Sequence, residues 1–422
     1  MIRKKENIRG VTLIVLVITI VVLLILAGVT IAALSGNNGI LKRAVEAKEK
    51  TQQAQKEEEK ILSNTKNILD NSIQFNNVNI IDTNPAGVMP SNVRILENDA
   101  NKGIVIKDKN DNEWVWIEVP KTTVFSELTI DITNELTELD YEAIKNKLIE
   151  YVGVYRKGSA NQNSDWADEW YDGCGLTSNE YTALYQKMLK NIYVYGGFWI
   201  ARYEAGIDGS IDDLSKVRTE TSERIEIGIS PKAISQKNAI PYNWILCSEA
   251  QYLSSEMSPD DSYSSSLMFG IQWDLVCKFL EVKSDLTVVD INSNSSNWGN
   301  YRDVKIENIK DGKYAIWSWT SSTLGKWTNI IGEYTKADLS SDNNVLLSTG
   351  ASERLKKMNI YDLAGNAWEW TLEKSFYNNP CVYRGGSFYD LGINYPVAIR
   401  LAYAIDSSYV TLGFRSMLFC NI

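Results

Sequence analysis

The longest apolar stretch of the chain lies near its N-terminus. Residues 11–34 read VTLIVLVITIVVLLILAGVTIAAL, 24 positions without a charged side chain, and four basic side chains precede them. As a helix this stretch spans roughly 36 Å, enough for a hydrocarbon core of about 30 Å. Basic residues beside such a helix stay in the cytoplasm. We therefore predict a single transmembrane helix over residues 11–35, which places the N-terminus in the cytoplasm and the C-terminal body outside the cell membrane.

The composition changes twice after this stretch. Residues 36–75 are rich in Ala, Lys, Glu and Gln, contain no Pro, and have Gly only in the breaker SGNNG. Such a composition favours a helix, and we interpret these residues as a solvated helical stalk. Residues 76–109 then read as a linker with short strands, and residues 110–422 form the body of the chain.

The body mixes short strands with a few helices. EWVWIEVP (Glu113–Pro120) and YVYGGFWIARYEAG (Tyr193–Gly206) predict strands. Ser178–Asn191 and Ile271–Val282 space their apolar residues as amphipathic helices do. Long irregular stretches separate these elements, without the regular alternation of strand and helix that a parallel α/β fold shows. The pattern therefore predicts an α+β, loop-rich domain.

The amino-acid composition argues against several classes of function. The net charge of −10 disfavours nucleic acid as a partner, because phosphate contacts need clustered Lys and Arg. The chain has no His, the usual general base near neutral pH and the commonest metal ligand. Its five Cys form no C-x-x-C pair, so buried free thiols are the expected state, and the odd count leaves at least one without an intramolecular partner. Thirteen Trp and 22 Tyr favour a binding surface as well as a core.

One segment near the C-terminus uses a restricted set of amino acids. Phe388–Leu412, here called the variable segment, contains no Lys, Glu, Gln, Met or Trp, the five amino acids that no codon ending in C or T encodes. This is the expected result when codons such as AAC are randomised at their adenines. The segment combines large apolar and hydrogen-bonding side chains, a mixture typical of antibody binding loops. We predict a ligand-binding surface formed by Phe388, Tyr389, Asp390, Leu391, Ile393, Asn394, Tyr395, Tyr403, Ile405, Asp406, Ser407, Ser408, Tyr409 and Thr411.

An ordinary core strand is the alternative explanation of the same segment. Apolar residues alternate in VAIRL at 397–401, as they do on the buried face of a strand. The motifs RGGSF and GFR at the two ends of the variable segment are interpreted as structural framework. Their glycines permit tight backbone paths, and each guanidinium can satisfy several buried carbonyls.

Six motifs of the body occur in a recognisable order: GGFWIARYEAG, PYNWILCSEAQYL, FGIQWDLVCKFL, NIYDLAGNAWEWT, RGGSF and GFR. Together they resemble the formylglycine-generating, sulfatase-modifying-factor family, and the last three are the most specific. The resemblance covers roughly residues 110–422. It implies a C-type-lectin-like fold, a loop-rich α+β module.

The resemblance also implies where catalysis would occur. Copper-dependent members hold Cu(I) with two Cys shortly after RGGS, because soft thiolates suit that ion. Here the two places fall near Asp390 and Tyr395, and the stretch has no Cys. Iron-dependent relatives use a His triad, which this chain lacks. We expect a non-catalytic protein without copper or iron; a copper oxidase with relocated thiols, Cys381 and Cys420, is the alternative.

A structural calcium site is implied by the resemblance of DLAGNAWE to the family. Side-chain oxygens of Asp362 and Glu369 and main-chain carbonyls of Gly365 and Ala367 would bind the ion. Calcium takes oxygen ligands of this kind. A turn with two incidental acidic residues is the simpler alternative.

The N-terminus resembles a type IV prepilin, with a leader at residues 1–10 that is cleaved between Gly10 and Val11. The apolar stretch is too long for an ordinary cleaved secretory signal. Pilins usually have Glu at the fifth mature position, where this chain has Val15. Assembly with pilin-like subunits into a surface filament therefore stays open, and an ordinary signal-anchor helix is the alternative.

These features lead to one hypothesis of function. Target proteins of diversity-generating retroelements commonly resemble the same lectin-like fold and carry a variable stretch near the C-terminus. We therefore expect a membrane-anchored display protein whose variable segment binds an external protein or glycan ligand. A structural minor pseudopilin is a further alternative.

Overall fold

The chain divides into two compact units, Met1–Asn67 and Ile68–Ile422. Residues 17–26 of the first unit are helical, and in the described part of the chain no helix is long and apolar enough to cross a membrane. The predicted cleavage point at Gly10 and Val11 lies outside the described residues, as do most of the predicted transmembrane helix and stalk. The computed structural model describes residues 17–26, 48, 50–52, 56, 89–90, 93–157 and 166–421.

Short strands make up much of the second unit. In chain order they are β1 Arg94–Glu97, β2 Val105–Lys107, β3 Glu113–Glu118, β4 Trp166–Ala167, β5 Gly197–Ala201, β6 Gly206–Ile207, β7 Ala233–Ile234, β8 Ile240–Pro241, β9 Tyr263–Leu267, β10 Lys313–Ser318, β11 Thr323–Leu324, β12 Thr328–Asn329, β13 Val345–Leu347, β14 Lys356–Lys357, β15 Ile360–Tyr361, β16 Trp368–Ser375, β17 Cys381–Arg384, β18 Leu401–Tyr403, β19 Leu412–Phe414 and β20 Ser416–Cys420.

Helices provide the longest regular segments of the second unit. In chain order they are α1 Lys121–Val124, α2 Glu138–Val152, α3 Val154–Lys157, α4 Ser178–Tyr195, α5 Cys247–Ser255, α6 Gly270–Lys283, α7 Val288–Asn292 and α8 Lys336–Leu339, with 3-10 turns at Leu214–Lys216 and Glu353–Leu355.

Helices α4 and α6 confirm the two predicted helices, whereas one predicted strand is wrong in its first part. Thr177 and Glu180 form a capping box at the start of α4. Gly196 ends the helix with φ 72°, a left-handed conformation that glycine adopts without strain. Residues 193–195 are therefore the last turn of a helix, and β5 begins only at Gly197. The aromatic residues that predicted a strand here belong to the helix face that packs on the core.

A six-stranded antiparallel sheet carries much of the core. Its order is β1–β2–β3–β5–β20–β9, so the C-terminal strand lies inside the sheet. Trp116 on β3 and Trp199 on β5 are directly opposite each other, and their buried rings meet edge to face at 5.1 Å. Helices α4 and α6 pack against β5 and β3. Smaller sheets are formed by β10–β13, by β6–β8 and by β14 and β15.

A second, five-stranded sheet positions the variable segment. Its order is β18–β17–β16–β19, with β4 paired to β16. Strands β16 and β17 are antiparallel, whereas β16 and β19 are parallel. The segment therefore leaves this sheet after β17, returns to it as β18, and ends in it as β19. Mixed helices and strands joined by long loops confirm the predicted α+β, loop-rich class.

Candidate ligand-binding surface

The middle of the variable segment is buried. Residues 396–400 have no exposed side chain and belong to no strand. Arg384, from the RGGS motif, donates to the carbonyls of Ile399 at 2.9 Å and Ala398 at 3.1 Å. Arg400 turns inward and donates to the carbonyl of Tyr155 at 2.9 Å. These bonds fix one backbone path through the middle of the segment.

Two buried carboxylates neutralise the arginines. Asp274 accepts from Arg384 at 2.9 Å and from Arg400 at 2.7 Å, and Glu373 accepts from the same two residues at 3.1 and 2.9 Å. Arg156 contacts both acids, at 3.2 and 2.6 Å. Burial alone would raise the pKa of Glu373, but the three guanidinium groups outweigh it and lower the pKa to about 2. Glu373 is therefore ionised, and the network is one that loses stability when a partner is removed.

The residues at either end of the segment are also fixed from inside. Arg415 donates to Glu369 from Nε at 3.0 Å and from Nη2 at 2.7 Å, and to the carbonyl of Ala201 at 3.0 Å. Gly386 has φ 80°, and a Cβ at this position would lie 2.4 Å from the Tyr301 ring. The motifs RGGS and GFR are therefore framework, because a larger side chain or a lost guanidinium would disturb the packed interior.

The flanks of the variable segment face solvent. Ile393 is 59% exposed, Ile405 and Tyr409 are each 44% exposed, and Asn394 and Asp406 are also exposed. The other predicted ligand residues, with one exception, are half-buried: Tyr389, Asp390, Leu391, Tyr395, Tyr403, Ser407, Ser408 and Thr411.

The exception, Phe388, corrects the predicted surface. Its exposed fraction is 0%, and its backbone N–H donates to the carbonyl of Asn366 at 3.0 Å. The chain is still inside the framework at this point, because the RGGS turn directs the next side chain into the core. Phe388 therefore has no accessible surface to offer a ligand.

Tyr389 joins the variable segment to residues elsewhere in the chain. Trp319 lies with its ring centroid 4.6 Å from that of Tyr389, and Trp317 meets Tyr389 edge on at 5.8 Å. The guanidinium of Arg302 lies 5.1 Å from the Trp319 ring, a cation–π distance. The backbone N–H of Arg302 also donates to the carbonyl of Asp390 at 2.8 Å. Strand β10 and the turn after it thus form one wall of the surface.

A second group of rings follows strands β17 and β18. Tyr383 and Tyr403 stack with centroids 4.8 Å apart, and Tyr403 contacts Tyr409 at 5.0 Å. Trp368 meets Tyr383 and Tyr395 edge to face at 4.8 and 5.8 Å. Trp368 and Tyr383 are buried and form a floor, on which the more exposed tyrosines rest. We call the whole group the aromatic surface: Trp317, Trp319, Trp368, Tyr383, Tyr389, Tyr395, Tyr403 and Tyr409.

Asp390 connects the two groups of rings. Its carboxylate accepts from the hydroxyl of Ser387 at 2.5 Å and from the indole of Trp368. Burial raises the pKa of Asp390, although both of these hydrogen bonds act in the opposite direction. A carboxyl group with a perturbed pKa therefore lies near the centre of the aromatic surface.

Four residues of the aromatic surface lie outside the variable segment and were not predicted from the sequence: Trp317, Trp319, Trp368 and Tyr383. They lie outside the variable segment in the sequence, and no local pattern indicates that they contact it. The high content of Trp and Tyr was the available signal, because it exceeds what a core alone requires.

The positions where copper-binding thiols would lie hold Asp390 and Tyr395. The proposed replacements do not come together: Cys381 lies in β17 opposite Tyr403, whereas Cys420 lies in β20 opposite Tyr263 in the other sheet. These two thiols therefore do not form a pair that could hold one copper ion.

One of the two acids of the predicted calcium site already has a cationic partner in the fold. Glu369 accepts from Arg415 with both carboxylate oxygens, so a guanidinium already neutralises it. One oxygen of Asp362 accepts from the N–H of Gly350 at 2.7 Å, and the other has no protein partner. Among the described residues no group of three or more acidic or Cys side chains could hold a metal. Gly365 and Ala367 are buried beside these acids. Calcium binding thus stays a prediction from the resemblance.

The C-terminal part of the chain is similar to a known protein family. Residues 309–418 match the sulfatase-modifying factor enzyme 1-like domain. The predicted resemblance to this family is confirmed over these residues. The matched sulfatase-modifying-factor stretch contains strands β10 to β19 and the whole variable segment. No curated protein matches the chain.

Two solved structures are similar to parts of the chain. The crystal structure of CarF is 11% identical, covers 63% of this chain and 97% of its own, and gives a TM-score of 0.29. Treponema denticola variable protein 1 is 12% identical, covers 54% of this chain and 85% of its own, and gives a TM-score of 0.31. Likenesses at these TM-scores carry no argument about function.

Proposed function

We propose that this chain is a non-catalytic surface display protein that binds an external protein or glycan ligand. The observation that carries the proposal is the contrast within the variable segment: its flanks are exposed on the aromatic surface, while residues 396–400 are fixed by Arg384 and Arg400. Because residues 396–400 are held rigidly, substitutions of the exposed flank residues can change the ligand without changing the fold.

The composition of the surface suits recognition. Tyr and Trp provide a large contact area with few rotatable bonds, and Ser, Asn and Asp add hydrogen-bonding groups. Tyr403 rests on the buried ring of Tyr383, and Tyr409 contacts the half-buried ring of Tyr403, which reduces the side-chain entropy that binding would cost. The surface is therefore partly ordered before a ligand arrives.

Several finer parts of the proposal rest on the sequence alone. The chain would be anchored in the cell membrane by the predicted helix at residues 11–35, with or without prepilin-type processing. Its body would have a C-type-lectin-like fold, as the family resemblance implies. The variable segment would be diversified by a retroelement that replaces adenines. Neither copper, iron nor nucleic acid has a part in this function.

A selection experiment tests the proposal. The codons of Ile393, Asn394, Ile405, Asp406 and Tyr409 are randomised in the displayed full chain, and the library is selected against panels of purified proteins and glycans. We expect folded variants that bind different ligands with different sets of residues. A matched library at residues 396–400 supplies the control and should yield few folded variants.

Two outcomes would contradict the proposal. Selected variants whose binding survives alanine at all five positions would show that the flanks are not the binding surface. Purified chain that binds copper and oxidises a cysteine-containing peptide would show that it is an enzyme.

A further inference from the structure

A pair of thiols lies beneath the aromatic surface. Cys247 begins α5 and Cys381 begins β17, and the exposed fractions of the two residues are 1% and 0%. The hydroxyl of Tyr171 lies 3.4 Å from Cys247 Sγ, and Cys247 also donates to the carbonyl of Thr371 at 3.6 Å. Thr371 in turn donates to the carbonyl of Val382, the neighbour of Cys381. These contacts bring the start of helix α5 close to the start of strand β17.

The two thiols contact each other as well as Tyr171. The sulfurs of Cys247 and Cys381 lie within interaction distance of each other, and the hydroxyl of Tyr171 lies beside both. Cys174 lies close enough to both sulfurs to act on their charge, but its own thiol donates to the carbonyl of Leu176 at 3.6 Å. Cys277 lies among Arg384, Asp274 and Arg400, and Cys420 lies near Asp260 and Lys187. The five cysteines are thus not equivalent, although all are free thiols in this structure.

We propose that Cys247 and Cys381 form an intramolecular disulfide when the chain folds in an oxidising compartment. The oxidant is a low-molecular-weight disulfide such as oxidised glutathione. A thiolate of the pair attacks it, forms a mixed disulfide and releases one small thiol; the second cysteine then displaces the other small thiol and completes the S–S bond. Two cysteine thiols are oxidised, and one disulfide is reduced to two thiols.

The surroundings favour this pair over other pairings. In the folded chain Cys247 is the strongest influence on the pKa of Cys381 and lowers it, so each sulfur belongs to the other's immediate surroundings. Both sulfurs are buried in the finished fold, so the reaction belongs to the period before burial or to a transient opening. Disulfides persist outside the cell, where the sequence places this body. The proposal does not depend on the ligand of the aromatic surface.

The bond would fasten the base of that surface. Cys381 is the direct partner of Tyr403 in the pairing of β17 with β18. A covalent link from Cys381 to α5 would therefore tie the strand beside Tyr403 to a helix outside the five-stranded sheet.

Peptide mapping by mass spectrometry tests the proposal. One sample of full chain is reduced, unfolded and refolded in a glutathione buffer with oxidised glutathione in excess; a second is oxidised in the folded state. Both are alkylated under denaturing conditions and digested without reduction. We expect a cross-linked peptide pair that contains Cys247 and Cys381 in at least one sample, with Cys174, Cys277 and Cys420 alkylated.

Cysteine variants distinguish the proposed pair from the other thiols. The Cys277→Ala variant should keep the cross-link, whereas Cys247→Ala should leave Cys381 alkylated or joined only to glutathione. Alkylation of all five cysteines in both wild-type samples would overturn the proposal. A cross-link from Cys381 to Cys174, Cys277 or Cys420 would overturn it equally.

Discussion

The middle and the flanks of the variable segment use the same restricted set of amino acids in opposite environments. Residues 396–400 are buried and bound by guanidinium groups, whereas Ile393 and Ile405 stand in solvent a few residues away. The middle owes its position to charges that lie far apart in sequence: Asp274, Glu373 and Arg384. The exposed side chains of the flanks, such as Asn394 and Asp406, have few contacts that a substitution could break.

This difference shows how one segment can be both framework and variable surface. A side chain in the middle must satisfy buried partners, so few residues are tolerated there. Replacing an exposed side chain on a flank changes little except what the surface presents to solvent. Four changes, in decreasing order of expected effect, test the separation.

Arg400→Ala should have the largest effect. It removes a guanidinium that pairs with Asp274 and Glu373 and leaves those buried carboxylates short of partners. We expect the free energy of unfolding to fall by about 3–5 kcal/mol in chemical denaturation. Asp406→Ala, on the exposed flank, is the matched control and should change it by less than about 0.5 kcal/mol. Equal losses of unfolding free energy in the two variants would show that the middle and the flanks of the segment do not differ in their contribution to stability.

Acid should weaken the same network. The pKa of Glu373 is about 2 in the folded chain and near 4.5 when unfolded. Between these values the unfolded state binds more protons, so stability contributed by Glu373 is present above pH 4.5 and is lost as the pH falls toward 2. Denaturation midpoints measured from pH 5 to pH 2 should therefore decrease. Glu373→Gln starts from a lower stability and should show a shallower decrease; an unchanged slope would exclude Glu373 as the cause.

Tyr383→Leu should have an intermediate effect. Tyr383 stacks on Tyr403 and meets Trp368 and Trp370 edge to face, so the variant loses three ring contacts. We expect a loss of about 2 kcal/mol in the free energy of unfolding. Tyr383→Phe keeps the rings and should lose less than half as much. If the two variants lost the same amount, the hydroxyl rather than the rings would be responsible.

Tyr409→Ala should have the smallest effect on stability and a clear effect on binding. Tyr409 is largely exposed and contacts only the ring of Tyr403 among the aromatic residues described. We expect the free energy of unfolding to change by less than about 0.5 kcal/mol, while a ligand selected on the wild-type surface loses affinity by roughly tenfold or more. Loss of folding without specific loss of binding would mean that Tyr409 belongs to the core.

Local sequence pattern predicted the helices well and the segment's interior poorly. The apolar spacing of α4 and α6 is a local property, so their positions follow from neighbouring residues. The alternation in VAIRL predicted one buried face, but Val397, Ala398, Ile399 and Arg400 are all buried. Arg400 is buried because it pairs with Asp274 and Glu373. Both partners are distant in sequence, so a local pattern does not predict that this charged residue is buried.

The candidate surface was likewise predicted only where it depends on a local property of the sequence. Restricted composition located the flanks, because it is a property of the segment itself. It also included Phe388, which the RGGS turn directs inward, and it could not include Trp319 or Tyr383, whose contacts arise only when β10 and β17 come beside the segment.

The most direct test of the central claim is the nucleotide sequence of the gene's 3′ end, compared with nearby near-copies and across many clones. Adenine-directed substitutions should fall in the codons of the flanks, such as those of Asn394, Asp406 and Tyr409. The codons of Val397, Ala398 and Arg400, all of which can be written without adenine, should not change. Substitutions spread over all four bases, or as frequent in residues 397–400 as in the flanks, would contradict the account.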